Sequence, residues 1–132
     1  MSKPAIKLLL VEDDPPIRRM YENAFEIAGF QVASAYDGTL VAETILNNPP
    51  DIVIMDVMMP NFDGLDTLRE LKINPKTSSI PVIMLSANDD PKVIDKALKL
   101  GAAHYLIKSN VEPADVIKII KDEAAKIWPS AK

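Results

Sequence analysis

The chain has 132 residues, 48% hydrophobic and 26% charged, which suits one packed core with an ordinary surface and argues against a disordered chain. Its net charge is −4 and its 15 Lys and Arg residues are scattered, leaving no footprint for direct nucleic-acid binding or an anionic membrane. The absence of cysteine excludes disulfides and thiolate metal sites and fits a reducing, cytoplasmic setting. The expectation is a single domain over 1–132, its core at about 6–127, with no room for a separate output domain.

Ile6 to Val11 is an apolar run broken only by Lys7, the pattern of a strand covered on both faces. It is too short for a membrane span and, ending on three acids, wrongly closed for a signal peptide. Asp14, Pro15 and Pro16 read as an N-cap followed by first-turn prolines. Ile17, Met20, Tyr21, Ala24, Phe25 and Ala28 recur at helical spacing, and Gly29 closes the helix with a left-handed residue. Gln31 to Ser34 is a short second strand. Asp37-Gly38 is a turn before a helix carrying Leu40, Val41, Thr44 and Ile45, which Asn47 to Pro50 end.

Ile52 to Met55 is the third strand. After a loop, Asp63 caps a helix with Leu65, Leu68 and Leu71 on one face. The fourth strand follows Pro81. Asp90 and Pro91 open a helix with Val93, Ile94, Ala97 and Leu98, closed at Leu100 and Gly101. The fifth strand is His104 to Ile107, and a last helix from Pro113 carries Val116, Ile119, Ile120, Ala124 and Ile127 up to Pro129. Five strands alternating with five helices predict a doubly wound α/β sandwich of flavodoxin-like topology, its parallel sheet in the order 2-1-3-4-5.

Four of these strands end on reactive polar residues: Glu12 and Asp13, Asp56, Ser86 and Lys108. In the predicted order the first and third strands are neighbours, so their acids face each other at the switch point, with Ser86 and Lys108 on the same rim. Clustered carboxylates repel and call for a cation. Mg2+ suits them, with Mn2+ as an alternative, because it takes hard oxygen ligands alongside water and phosphate. Lysine and serine supply a fixed charge and a donor for phosphoryl oxygens. The set is a phosphoryl-binding site with a carboxylate nucleophile.

The segments Leu10–Asp14 (LVEDD), Asp51–Gly64 (DIVIMDVMMPNFDG), Pro81–Ala87 (PVIMLSA) and Gly101–Lys108 (GAAHYLIK) together resemble the receiver domain of two-component response regulators, of the stand-alone chemotaxis-regulator kind, from about Ile6 to Ile127. The resemblance implies that Asp56 accepts a phosphoryl group from a phosphohistidine of a histidine kinase or a histidine phosphotransfer protein. It implies that Asp13 ligates Mg2+ directly, Glu12 mainly through water, and Met58 through its backbone carbonyl. Ser86 and Lys108 would contact the phosphoryl oxygens. Ser86 and Tyr105 would form a switch that remodels the fourth helix, fifth strand and fifth helix for a downstream effector protein. The chain would promote its own phosphorylation and dephosphorylation without turning over an external substrate.

Two features depart from the family pattern. Ser109 stands where receivers usually carry a proline after a cis bond, and the following loop is one residue longer; the two changes are expected to compensate and keep Lys108 aimed at the site. Met58 replaces a polar side chain that helps position water in many relatives, while Asn88 stays polar, so slow self-dephosphorylation is expected. His104 has no partner motif and reads as a surface strand position; Met58 and Met59 read as loop and core filler; Trp128 covers the core edge or marks a contact.

Three other functions remain to be weighed. A Mg2+-dependent aspartyl-phosphate hydrolase would need an aspartate where Glu12 stands and a capping insertion that the chain lacks. A flavodoxin-like cofactor module would need a phosphate loop where the sequence reads Glu12-Asp13-Asp14. A phosphorylation-independent docking module would not need the full set of acid, hydroxyl and lysine.

Overall fold

The computed structural model describes residues 5–36 and 41–127. In chain order its elements are β1 (Lys7–Val11), α1 (Pro15–Ile27), β2 (Gln31–Ala35), α2 (Val41–Asn47), β3 (Ile52–Met55), β4 (Met58–Met59), β5 (Phe62–Asp63), α3 (Gly64–Ile73), β6 (Val82–Ser86), α4 (Pro91–Lys99), β7 (His104–Ile107) and α5 (Pro113–Ile127). A 3-10 turn, Lys108–Asn110, joins the last two. The main sheet is parallel, in the order β2-β1-β3-β6-β7. With the small β4–β5 hairpin set aside, this is the predicted 2-1-3-4-5.

The apolar strands are buried on both sides because each face carries its own helices. Leu9, Val11, Val53, Met55, Val82 and Met84 pack with Val41, Ile45, Leu68, Leu71 and Ala97 of α2, α3 and α4. Their alternates Leu8, Leu10, Ile52, Ile54, Ile83 and Leu85 pack with Tyr21, Phe25, Val116, Ile120 and Ala124 of α1 and α5. The register pairs Leu8 with Ile52 and Leu10 with Ile54, so a one-residue slip would swap the two cores. Phe25 is fully buried; truncating such a residue to alanine typically costs about 3–5 kcal/mol.

Several local expectations hold in detail. Asp63 caps α3 by accepting from the N–H groups of Leu65 and Asp66, and Asp90 caps α4 through Lys92. Gly29 and Gly101 follow their helices at φ 101° and 110°. Others are corrected. Asp14 occupies the N-cap position of α1 without a side-chain capping bond; its N–H instead donates to Glu12 Oε2 at 3.2 Å. Met20 and Leu98 belong to the helical stripes, yet they are 46% exposed, because the contact seams of α1 and α4 are narrower than their apolar faces. The loop after Asp56 contains the β4–β5 hairpin, reversed through Asn61 at φ 57°, a conformation asparagine tolerates better than most residues. Asp37, Gly38, Leu40, Trp128 and Pro129 lie outside the described residues.

His104 does have a partner. It is half-buried on β7, and its Nε2 lies 3.2 Å from Oε2 of Glu123, which α5 buries within its apolar stripe. Lys126 donates to the same carboxylate at 2.8 Å. Burial alone would raise the Glu123 pKa, but the bonds from Lys126 and His104 outweigh it and hold the carboxyl below its ordinary value. A depressed carboxylate pKa contributes stability above the unfolded value, lost as pH falls through the folded one. Glu123→Gln is therefore predicted to destabilise the fold by about 1–2 kcal/mol at pH 7. Urea titrations should show the difference from wild type shrinking as pH drops below 4.5, the ordinary carboxyl value.

Candidate functional site

The parallel register assembles the site. Val11 pairs with Met55, so Glu12 and Asp56 are the next residues on adjacent strands, and Ser86 pairs with Ile107, one residue before Lys108. The backbone continues the ladder past the strands: Asp56 N–H donates to the Val11 carbonyl at 3.2 Å, and Glu12 N–H to that of Ala35 at 3.0 Å. Oxygens of Glu12, Asp13 and Asp56 all lie within 4.8 Å of one another. Glu12 and Asp56 are buried, at 2% and 8% exposure.

One cation answers these acids. Lys108 Nζ donates to Asp56 Oδ2 at 2.9 Å and also pairs with Glu12 Oε1. Burial would lower the lysine pKa, but the hydrogen bonds it donates to Glu12 and Asp56, and their charges, hold it above its ordinary value. The ammonium is thus aimed into the site, although Ser109 follows it. The described residues contain no cis peptide bond, so the longer loop runs trans through its 3-10 turn. Three carboxylates against one ammonium leave the pocket net negative, and the Asp13 carboxylate has no cationic partner among the described residues.

The Asp56 carboxylate is fixed from its other side. Its Oδ1 accepts from Val57 N–H at 2.6 Å and from Met58 N–H at 3.4 Å. The chain then folds back so that Gly64, opening α3, donates its N–H to the Val57 carbonyl at 2.6 Å. A Cβ on Gly64 would meet the Asp56 carbonyl at 2.3 Å; only glycine admits this approach. Met59 is buried as expected of core filler, whereas Met58 is 66% exposed and fills nothing.

Ser86 and Tyr105 meet at one residue. The buried Ser86 hydroxyl accepts from Asn88 N–H at 3.1 Å, and the Tyr105 hydroxyl donates to the Asn88 carbonyl at 2.6 Å. Both peptide groups of Asn88 are therefore held, one by each proposed switch residue. Burial raises the Tyr105 pKa, opposed by the Ser86 hydroxyl and reinforced by the Asp56, Asp89 and Asp90 charges.

Arg18 was not anticipated. It reaches back from α1 to the carbonyls of Glu12 and Asp13, beneath the ring of Tyr36. An arginine four residues after Asp14 is an ordinary helix-surface residue in sequence, and only the folded loop reveals its contacts. A cavity of about 580 Å3 lies elsewhere, against the amino ends of β1 and β2, lined by Lys7, Gln31, Asn48 and Pro49 among others. It gathers none of the predicted site residues.

Fold and site together define a receiver-type α/β domain, with acids at the switch point between its first and third strands and a lysine closing over them. Comparison with known proteins gives the same answer. The family model described as response regulator receiver domain matches residues 8–121. "Probable transcriptional regulator ycf27" of Porphyridium aerugineum is 37% identical over 102 residues, covering 77% of this chain and 41% of that protein. The chain thus spans less than half the length of that relative. Among solved structures, the receiver domain of Francisella response regulator 1452 is similar with a TM-score of 0.84 at 30% identity, covering 92% of this chain and 98% of that one. Vibrio cholerae chemotaxis protein CheY4 is similar with a TM-score of 0.81 at 25% identity, covering 90% and 98%. The chain belongs to the response regulator receiver domain family of two-component signalling.

The approach of Gly64 to Asp56 generates a prediction. Gly64→Ala should cost about 1–3 kcal/mol through overpacking against rigid backbone. Amide NMR shifts should move most at Asp56, Val57 and Met58, while a change spread evenly over the sheet would contradict this local origin.

Proposed function

We propose that the chain, acting as a single receiver domain over 1–132, is a phosphorylation-operated switch in which Asp56 is the acceptor. The observation that carries this reading is the Lys108 ammonium on Asp56 Oδ2, with Glu12 and Asp13 alongside. A clustered set of hard oxygens with uncompensated negative charge fits Mg2+, with Mn2+ as an alternative, better than a soft metal. Asp13, Asp56 and the Met58 carbonyl would hold the ion, with Glu12 acting mainly through water. When bound, it would neutralise charge shared between the carboxylates and the phosphoryl oxygens.

An Asp56 oxygen attacks the phosphorus of a phosphohistidine. The P–N bond breaks, and its electron pair stays on the imidazole nitrogen, which takes up a proton. Lys108, already at the acceptor, shifts from carboxylate to phosphoryl oxygen, and the Ser86 hydroxyl donates to another. That turn of Ser86 releases the Asn88 N–H. With the Asn88 carbonyl held by Tyr105, the loop and the aromatic ring move together, and the surface of α4, β7 and α5 changes. The added group brings nearly two negative charges and three acceptor oxygens, enough to bias such a bistable loop.

The upstream partner on this reading is a histidine kinase or a histidine phosphotransfer protein, and the output is contact with an effector protein in the cytoplasm, without direct nucleic-acid or membrane binding. The chain promotes its own phosphorylation and dephosphorylation and turns over no external substrate. Among the described residues no helix is long and apolar enough to cross a membrane. The relatives' printed roles differ, one a transcriptional regulator and another a chemotaxis protein, so no particular effector is carried over.

Incubation with Mg2+ and a small acyl phosphate donor, read by intact mass, should add one phosphoryl group to the wild type and none to Asp56→Asn or to the wild type in EDTA. Unmodified wild type would favour a phosphorylation-independent docking module instead. The second expectation concerns lifetime. Exposed Met58 lies beside the acceptor and cannot orient water, so Met58→Asn should shorten the phosphorylated state several-fold, with Asn88 left as the polar neighbour. An unchanged decay rate would remove Met58 from that role.

A further inference from the structure

The acidic loop between β1 and α1 is tied into a closed circuit of contacts. Glu12 N–H donates to the Ala35 carbonyl at 3.0 Å. Arg18 Nη1 lies 3.3 Å from the Glu12 carbonyl and 3.5 Å from that of Asp13. The same guanidinium sits 4.7 Å from the centroid of the Tyr36 ring, and Tyr36 directly follows Ala35. One planar cation thus joins two successive peptide groups of the loop to the end of β2. Its geometry suits the task, since a guanidinium offers several donors in one plane while its face stacks on an aromatic ring.

The loop needs such a tie. Lys108 pairs with Glu12 and Asp56, whereas no cation pairs with the Asp13 carboxylate among the described residues. Asp13 must stand within 4.8 Å of two other carboxylates against their repulsion, so its main chain has to be held. We infer that Arg18 and Tyr36 are positioning residues which hold the Glu12–Asp13 backbone in the shape that a divalent cation requires. The inference rests on the metal reading above and deepens it. Arg18 touches the two carbonyls and acts on the cation only through them.

The sign of the effect separates positioning from charge. Removing a positive group near a cation site should tighten cation binding if electrostatics alone matters, whereas losing a strut should weaken it. Loss of a supporting contact typically costs 10–100-fold in metal affinity.

Calorimetric titration of Mg2+ into the whole chain, with thermal melting in EDTA to confirm folding, provides the test. Arg18→Ala and Tyr36→Leu should bind Mg2+ about tenfold more weakly, and Tyr36→Phe, which keeps the ring face, should stay close to wild type. Arg18→Lys, able to donate and to stack less well, should fall between wild type and Arg18→Ala. Unchanged or tighter binding by Arg18→Ala, with Asp13→Asn still abolishing uptake, would overturn the strut and leave the metal reading intact. A wild type that takes up no Mg2+ would overturn both. If Arg18→Ala fails to melt cooperatively, Tyr36→Leu against Tyr36→Phe decides, and equal affinity in that pair rejects the inference.

Discussion

The Lys108 ammonium, reaching from the end of β7 past β6 to acids on β3 and β1, is the contact around which the carboxyl edge of the sheet is arranged. Neighbouring strands stand about 4.8 Å apart, so only a long, flexible side chain can cross that gap and still deliver a full charge. Two unit charges at 4 Å interact by about 4 kcal/mol at an effective dielectric of 20. Each repulsion among the three acids is of similar order, so one lysine relieves the pocket without neutralising it. A buried carboxylate that lost this partner would be strongly disfavoured. The remaining negative charge is what the proposed cation would answer.

The rest of the site serves that arrangement by fixing backbone. Asp56 is held by Val57 N–H, by the Val11 carbonyl and by the close approach of Gly64. Glu12 is held by Ala35 and Arg18. Among the described residues of the site, the segment whose restraints come from side-chain hydroxyls is Asn88, between Ser86 and Tyr105. Hydroxyls rotate at little cost, whereas the peptide ladder does not, so these two bonds at the β6–α4 connection are easier to exchange than those of the strands.

Much of this was legible in the chain itself. Continuous apolar runs marked strands buried on both faces, their polar endings marked the rim, and β-α alternation restricted the topology until Glu12, Asp13, Asp56, Ser86 and Lys108 had to share one edge. What escaped detection had no period to betray it. The β4–β5 hairpin is two residues per strand, too short for alternation to show. The His104–Glu123 bond joins two residues 19 apart, and a glutamate inside an apolar stripe reads as surface until its partners are seen. Arg18 and Tyr36 meet because β2 and α1 flank β1, a relation carried by topology and not by any local pattern. Met20 and Leu98 were placed inside by spacing alone, since periodicity gives the direction of a face and not its width.

A sheet whose strands all run the same way has two unlike rims. The groups of the candidate site sit on the carboxyl rim, while Lys7, Gln31, Asn48 and Pro49 line a groove at the other. The Asn47–Pro50 connection on that far rim offers a splice point for a fluorescent or affinity module, which would ride on the domain as silent cargo.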